Sequence, residues 1–189
     1  MEIIQSFDQS VLDWIQANLS CGFMDGFMPA VSALANAGII FFAAAGIMLF
    51  FRNYRRCAVN ILICMAVAAV VANLIMKPLI ARDRPCWLNE EIQLLVAVPQ
   101  DFSFPSGHTL HSFMVATVIF MYDRRIGIPS FVLAALIGFS RLYLYVHFPT
   151  DVLCGALLGV AFAVGGYYLL RFVLKKLPKL SRYLPEREA

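Results

Sequence analysis

Residues 57–76 read CAVNILICMAVAAVVANLIM. No charged side chain interrupts them, and about 20 apolar residues are what a helix needs to cross a bilayer. The pattern repeats outward in both directions. Pro29–Phe51, Gly127–Ser140 and Val152–Leu170 are also free of charge. A soluble helix bundle keeps a polar face on each helix, and these runs have almost none. The chain of 189 residues is 61% hydrophobic, against roughly 45–50% in soluble domains, and its mean hydropathy is +0.76. The fold class is therefore all-α: a polytopic membrane helix bundle in a single domain covering 1–189.

Five spans are expected, near 29–51, 57–76, 108–122, 127–144 and 151–173. The third is short and carries His108 and His111 at its start, which is tolerable where a helix end lines a cavity inside the protein. In 1–25, Ile4, Phe7, Val11, Leu12, Trp14 and Ile15 can share a helical face with Asp8, Gln9 and Asp13 elsewhere, the pattern of an amphipathic helix on the membrane surface. The N-terminus has no basic n-region and its first apolar run begins late, so no cleavable leader is expected. Asn36, Asn60 and Asn73 are expected to join helices by hydrogen bonds. Gly155, Gly159, Gly165 and Gly166 are expected to let helices approach closely.

Basic residues orient the bundle. Arg52, Arg55 and Arg56 follow the first span, Arg124 and Arg125 the third, and Arg171, Lys175, Lys176, Lys179 and Arg182 the fifth. Five spans place all three clusters on one face, the cytoplasmic one, together with the basic tail 174–189. The N-terminus, the long connection 77–107 and the turn 145–150 then fall outside. Trp87 and Ile92–Val98 suggest that the connection lies on the bilayer surface. Cys21 and Cys86 share that side, which permits a disulfide without requiring one. The five cysteines otherwise follow no metal-ligand or disulfide-framework spacing.

On the outer face the polar residues converge at one membrane depth, where charge is costly and marks function. Lys77, Arg84 and Arg141 suit an anion with several oxygens, since guanidinium forks match phosphate and lysine adds a point charge. Ser106-Gly107-His108 opens a helix whose free N–H groups favour an anion, and Gly107 allows close approach. His147 and Asp151 stand four apart, so the carboxylate can hold one ring nitrogen and leave the other as nucleophile. His108 can protonate a leaving oxygen. Arg82 and Asp83 are read as a mutual pair without a role, and His111 as packing. His108, His111, His147 and Asp151 could be drawn as zinc ligands, but three neighbouring cations repel a metal ion, and no metal is expected.

Three motifs stand in order: Lys77-x6-Arg84-Pro85, Pro105-Ser106-Gly107-His108, and Ser140-Arg141-x5-His147-x3-Asp151. Over residues 77–151 they resemble the type 2 phosphatidic acid phosphatase superfamily, which also contains bacterial acid phosphatases and vanadium haloperoxidases. The resemblance implies that His147 is the nucleophile, Asp151 its orienting carboxylate and His108 the general acid. Lys77, Arg84, Arg141, Ser106 and Gly107 are implied to bind phosphate, with no metal or other cofactor. It implies a lipid phosphatase of the plasma or inner membrane, working through a phosphohistidine on a phosphorylated lipid. Among bacterial substrates, undecaprenyl diphosphate fits an outward site best, ahead of phosphatidylglycerophosphate and phosphatidate. A phosphotransferase, a non-catalytic lipid-binding protein and a haloperoxidase rank behind. The bilayer and the lipid are the expected partners; nucleic acid is not, and nothing in the sequence sets an oligomeric state. Known six-span members have an additional N-terminal span, where this chain has the amphipathic segment.

Overall fold

The computed structural model describes residues 2–89 and 91–185. Among them every regular element is helical. Helix α1 (Glu2–Leu19) is followed by α2 (Gly22–Leu34) and α3 (Ile39–Phe50), which are joined by a 3₁₀ turn over Asn36–Gly38. Ala37 and Gly38 there have φ of 51° and 70°. This left-handed step bends α2 against α3 by 43°, the geometry of a broken span or of a re-entrant loop. Pro29, the expected start of the first span, lies inside α2. The amphipathic segment ends at Leu19 rather than running to 25.

Helix α4 (Arg55–Ala69) continues through a π-helical segment, Val70–Met76, into α5 (Lys77–Ile80). A π turn carries an extra residue and re-aims the chain beyond it, and such turns recur at functional sites; here the next residue is Lys77. After a left-handed Ala81 and the short α6 (Pro85–Leu88), an irregular segment leads to α7 (Gly107–Tyr122). Then come α8 (Arg124–Tyr143), α9 (Pro149–Lys176) and α10 (Pro178–Ser181). Among the described residues, the helix through Arg52–Leu88, α8 and α9 are each long and apolar enough to cross a membrane, and the bent α2–α3 pair passes the same test only when taken together. The expected third span is α7, of only 16 residues. It packs chiefly on α8 and α9, with α4 beside it, and most of its residues are buried.

The bundle shows apolar residues on its outside as well as its inside. Phe50 is 85% exposed and Leu74 70%, and along α9 Leu153, Leu157, Leu169 and Phe172 point outward too. Such a surface suits hydrocarbon, where only backbone-satisfied helices can stand. The internal core joins α3, α4, α7, α8 and α9 through Phe41, Ile61, Met65, Leu110, Ile137 and Ala163. Glycines of α9 set the closest approach. A Cβ on Gly159 would lie 2.4 Å from the Leu110 carbonyl, one on Gly155 2.8 Å from that of Ser106, and one on Gly166 2.2 Å from Cys64 Sγ. Gly165 meets nothing within 4 Å and has no such role.

A second cluster caps one end, where Leu12 and Ile15 of α1 meet Met28 and the turn Tyr143–Phe148. Helix α1 therefore divides its apolar residues. Leu12 and Ile15 are buried in the protein, whereas Ile4, Phe7 and Trp14 face outward. Asp8, expected on a polar face, is fully buried. Ile92, Leu94 and Val96 also pack against this cluster, with Leu95 and Val98 exposed, so the long connection rests on the protein. Cys21 (exposed) and Cys86 (buried) are both free thiols, so the permitted disulfide is not formed. At the opposite end the basic clusters come together. Tyr54 donates to Asp123 Oδ2 at 2.9 Å, and Arg56 donates to the Leu184 carbonyl at 2.8 Å.

Candidate active site

A cavity of about 400 Å³ opens beneath the loop before α7. Lys77, Arg84, Gly107, His108, Arg141 and His147 all line it. Six of the sequence-derived residues, from all three motifs, thus share one space. His111, Asn73 and Asp101 line it too. Ser106 does not: it is fully buried, and its hydroxyl meets Thr109 Oγ1 at 2.9 Å. Its backbone N–H donates to the Asp151 carbonyl at 3.2 Å, tying the start of α7 to α9.

His147 lies in the turn between α8 and α9, and only 2% of it is exposed. Two residues earlier Tyr145 takes φ 56°, a left-handed state that costs a non-glycine residue energy and persists where packing over-determines it. The turn presents the Val146 carbonyl to Arg84 Nη1 at 2.7 Å, and the same nitrogen stands 3.1 Å from His147 Nε2. A cation facing this nitrogen favours its lone pair over a proton. Burial, with the charges of Arg84 and Arg141, holds the His147 pKa down at about 3 against the pull of Asp151. The imidazole is therefore neutral across the physiological range, the form a nucleophile needs.

The carboxylate stands behind the ring. Asp151 Oδ2 is 3.8 Å from His147 Nδ1, an ion-pair distance beyond hydrogen-bond reach. Ser103 fills the gap: its hydroxyl donates to Asp151 Oδ2 at 2.5 Å and lies 3.3 Å from His147 Nδ1. The same Oδ2 accepts from the Phe148 N–H at 2.9 Å, so Asp151 also caps α9. Its Oδ1 accepts from Arg82 Nη1 at 2.6 Å. Arg82 does not pair with Asp83 but fans out to Asp151, to Thr150 Oγ1 at 2.7 Å and to Asp8 Oδ2 at 2.6 Å, with its guanidinium over the Phe148 ring. Asp8 also accepts from Thr150 N at 3.0 Å. Helix α1 is thereby strapped to the start of α9 through a chain of charge-assisted hydrogen bonds.

His108 begins α7 at the cavity mouth, where its Nε2 lies 2.9 Å from Asn36 Oδ1; the amide oxygen accepts, so Nε2 carries the proton. His111 Nδ1 donates to the Gly107 carbonyl at 2.8 Å. Arg141 Nη1 donates to Ser32 of α2, and its Nε is buried without a partner. Asp101 has no part in the sequence reading, yet its carboxylate pairs with both Lys77 and Arg84. Burial raises its pKa, but the hydrogen bonds and charges of Lys77 and Arg84 prevail and hold it at about 2. Asp101, Ser103, Arg82 and Asp8 carry no sequence signal beyond being polar in an apolar chain.

A buried neutral imidazole, a carboxylate behind it and three cations around one cavity suit covalent transfer of a phosphoryl group. Comparison with known proteins agrees. Residues 57–175 match the model of the PAP2 superfamily. The chain is 33% identical over 156 residues to the bacitracin transport permease protein BcrC of Bacillus licheniformis, covering 81% of this chain and 73% of that one. It is 31% identical to the undecaprenyl-diphosphatase of Sulfolobus acidocaldarius, over 64% of this chain and 58% of that protein. In three dimensions it resembles the PAP2-type phosphatidylglycerolphosphate phosphatase of Bacillus subtilis, with a TM-score of 0.73, 24% identity, and 94% and 89% of the two chains covered. The chain belongs to the PAP2 superfamily and is one of its membrane phosphatases.

Proposed function

We propose that this membrane lipid phosphatase removes the terminal phosphate of undecaprenyl diphosphate through a phosphohistidine at His147, on the outer face of the plasma or inner membrane. The observation that carries the reading is the placement of His147 Nε2, 3.1 Å from Arg84 Nη1, in a cavity shared with Lys77, Arg141 and His108. The lone pair of Nε2 attacks phosphorus. The P–O bond to the lipid phosphate breaks, and its electron pair leaves with that oxygen, which takes a proton from His108. Water then attacks the phosphohistidine while His108 removes its proton, and the N–P electron pair returns to Nε2. Lys77, Arg84 and Arg141, with the backbone at Gly107, face the charge that develops on the equatorial oxygens. Ser106 serves by holding the turn. An identity of 40% over 79 residues, 35% of this chain, to phosphatidylglycerophosphatase B of Bacillus subtilis favours phosphatidylglycerophosphate as the second candidate.

The chemistry is tested in detergent with undecaprenyl diphosphate, phosphatidylglycerophosphate and phosphatidate as substrates. Phosphate release is expected to survive EDTA, to fall with orthovanadate, and to drop at least about 10³-fold in His147→Ala. Loss with EDTA would replace the mechanism by a metal-dependent one. No release by folded protein would move the reading to a transferase or a lipid-binding protein. The orientation is tested separately. Cys21 is exposed at the end that holds the site, whereas Cys57 and Cys64 are buried. A membrane-impermeant thiol reagent should label Cys21 in intact cells; labelling only after lysis would invert the topology.

A further inference from the structure

Lys77 and Arg84 are two of the three buried cations that line the cavity with His147, and Asp101 holds both. Its Oδ2 pairs with Lys77 Nζ, its Oδ1 accepts from Arg84 Nη2 at 2.6 Å, and its carbonyl accepts from Arg84 Nε at 2.6 Å. Arg84 Nη1 is taken by the Val146 carbonyl and faces His147, so every nitrogen of Arg84 is engaged by the chain itself. The burial is uneven. The Lys77 and Arg84 side chains are 8% and 3% exposed, and that of Asp101 is 56% exposed. The carboxylate thus reaches the cations from the open side, as a ligand does. Arg141 differs, since its buried Nε has no partner. An arriving anion finds the Nε of Arg141 unpaired but must take Lys77 and Arg84 from Asp101.

We propose that Asp101 determines specificity: its carboxylate competes for Lys77 and Arg84, so a terminal phosphate displaces it and a phosphodiester headgroup does not. The inference rests on the phosphatase reading of the same site. A terminal phosphate carries about −1.5 to −2 charge at neutral pH, and a phosphodiester carries one. The tethered carboxylate matches the diester's single charge and has the advantage of high effective concentration. Only the more highly charged group gains enough from the two cations to expel it. A site opening into a bilayer of phosphodiester lipids would otherwise be filled by them.

The structure supplies a reporter. Trp87 Nε1 donates to the Pro99 carbonyl at 3.1 Å, and its ring meets Phe102 edge-on at 6.2 Å. Moving Asp101 away must disturb this loop. The chain has two tryptophans, so Trp14→Phe leaves Trp87 alone. In that background, the full chain in neutral detergent is titrated with inorganic phosphate while Trp87 emission is followed, and phosphate release is measured against added phosphatidylglycerol. If Asp101 is displaced in only about a tenth of molecules, apparent affinity is lowered about tenfold. Asp101→Asn should then bind inorganic phosphate about tenfold more tightly. It should also be inhibited by about tenfold less phosphatidylglycerol, with Asp101→Glu close to wild type.

Equal or weaker phosphate binding by Asp101→Asn, or equal sensitivity to phosphatidylglycerol, overturns the proposal and makes Asp101 a structural holder of the cations. If Asp101→Asn does not fold, Asp101→Ser replaces it. A Trp87 signal that phosphate leaves unchanged in the wild type, at saturation judged by inhibition, overturns the proposal without any Asp101 variant. Phosphate binding by neither form, together with undiminished release by His147→Ala, sinks the phosphatase mechanism itself and this inference with it. Binding that is equal in both forms sinks only the role of Asp101.

Discussion

His147 is held neutral by its surroundings, and this has a consequence for stability. Its pKa is about 3 in the folded protein against 6.5 normally. Between those values the unfolded chain binds a proton that the native state lacks, so stability rises with pH across the window and is lost on acidification. His147→Asn removes this contribution. Its melting temperature in detergent should fall less than that of the wild type between about pH 7 and about pH 4. Asp101 acts lower on the scale: its carboxyl is depressed from 3.8 to about 2, so its contribution is lost only as pH falls through that interval. Ser103 is argued on hydrogen bonding. It gives Asp151 a charge-assisted bond at 2.5 Å, and such bonds contribute about 1.5–3 kcal/mol. Ser103→Ala should lower kcat by about 10–100-fold with little change in KM, and Ser103→Thr should restore most of it. An unchanged kcat would show that the Phe148 N–H and Arg82 hold Asp151 unaided.

Among the elements, α7 and α9 decide where the site residues stand. The start of α7 carries Gly107 and His108, and its distance from α9 is set by Gly155 and Gly159. A Cβ at 159 would meet backbone, not the end of a flexible side chain, so the helices would have to separate. Gly159→Ala should cost about 1–3 kcal/mol and reduce activity by moving His108 away from His147. Gly165→Ala, on the same helix but with open space around it, should stay within about 0.5 kcal/mol of wild type. Thermal melting of the two variants side by side checks the contrast. All four glycines look alike in the sequence, because helical spacing does not say which neighbour will face each one. The break at Ala37–Gly38 escapes the sequence for a related reason. Residues 29–51 are apolar on both sides of it, so no change of pattern marks the turn.

Across the molecule as a whole, α1 is more than a surface helix. Asp8 and Thr150 are 142 residues apart and bonded at 2.5 Å, and Arg82 joins both to Asp151. The first helix is therefore part of the support for the Asp151 carboxylate. Asp8→Asn should lower kcat several-fold by loosening Arg82, and hydrogen exchange along α1 should rise. Exchange unchanged together with lowered kcat would place the effect in Arg82 alone. Arg82→Lys should not restore function, because a point charge cannot fork to Asp8 and Asp151 at once.

Composition and spacing were enough to establish the membrane bundle, the motifs, and the convergence of Lys77, Arg84, Gly107, His108, Arg141 and His147. Charge is expensive near hydrocarbon, so charged residues gathered at one depth beside apolar runs were informative together. How those residues are held and opposed emerges only on folding. Asp101, Ser103, Arg82 and Asp8 lie in the long connection and in the amphipathic first helix, outside the apolar runs, where a polar residue is ordinary in the sequence. There a polar residue has no obligatory partner until packing brings one from a distant part of the chain. The seat of Ser106 behind the cavity wall, the turning of Arg82 away from Asp83 and the open space at Gly165 were likewise settled by three-dimensional proximity, which neither spacing nor period encodes.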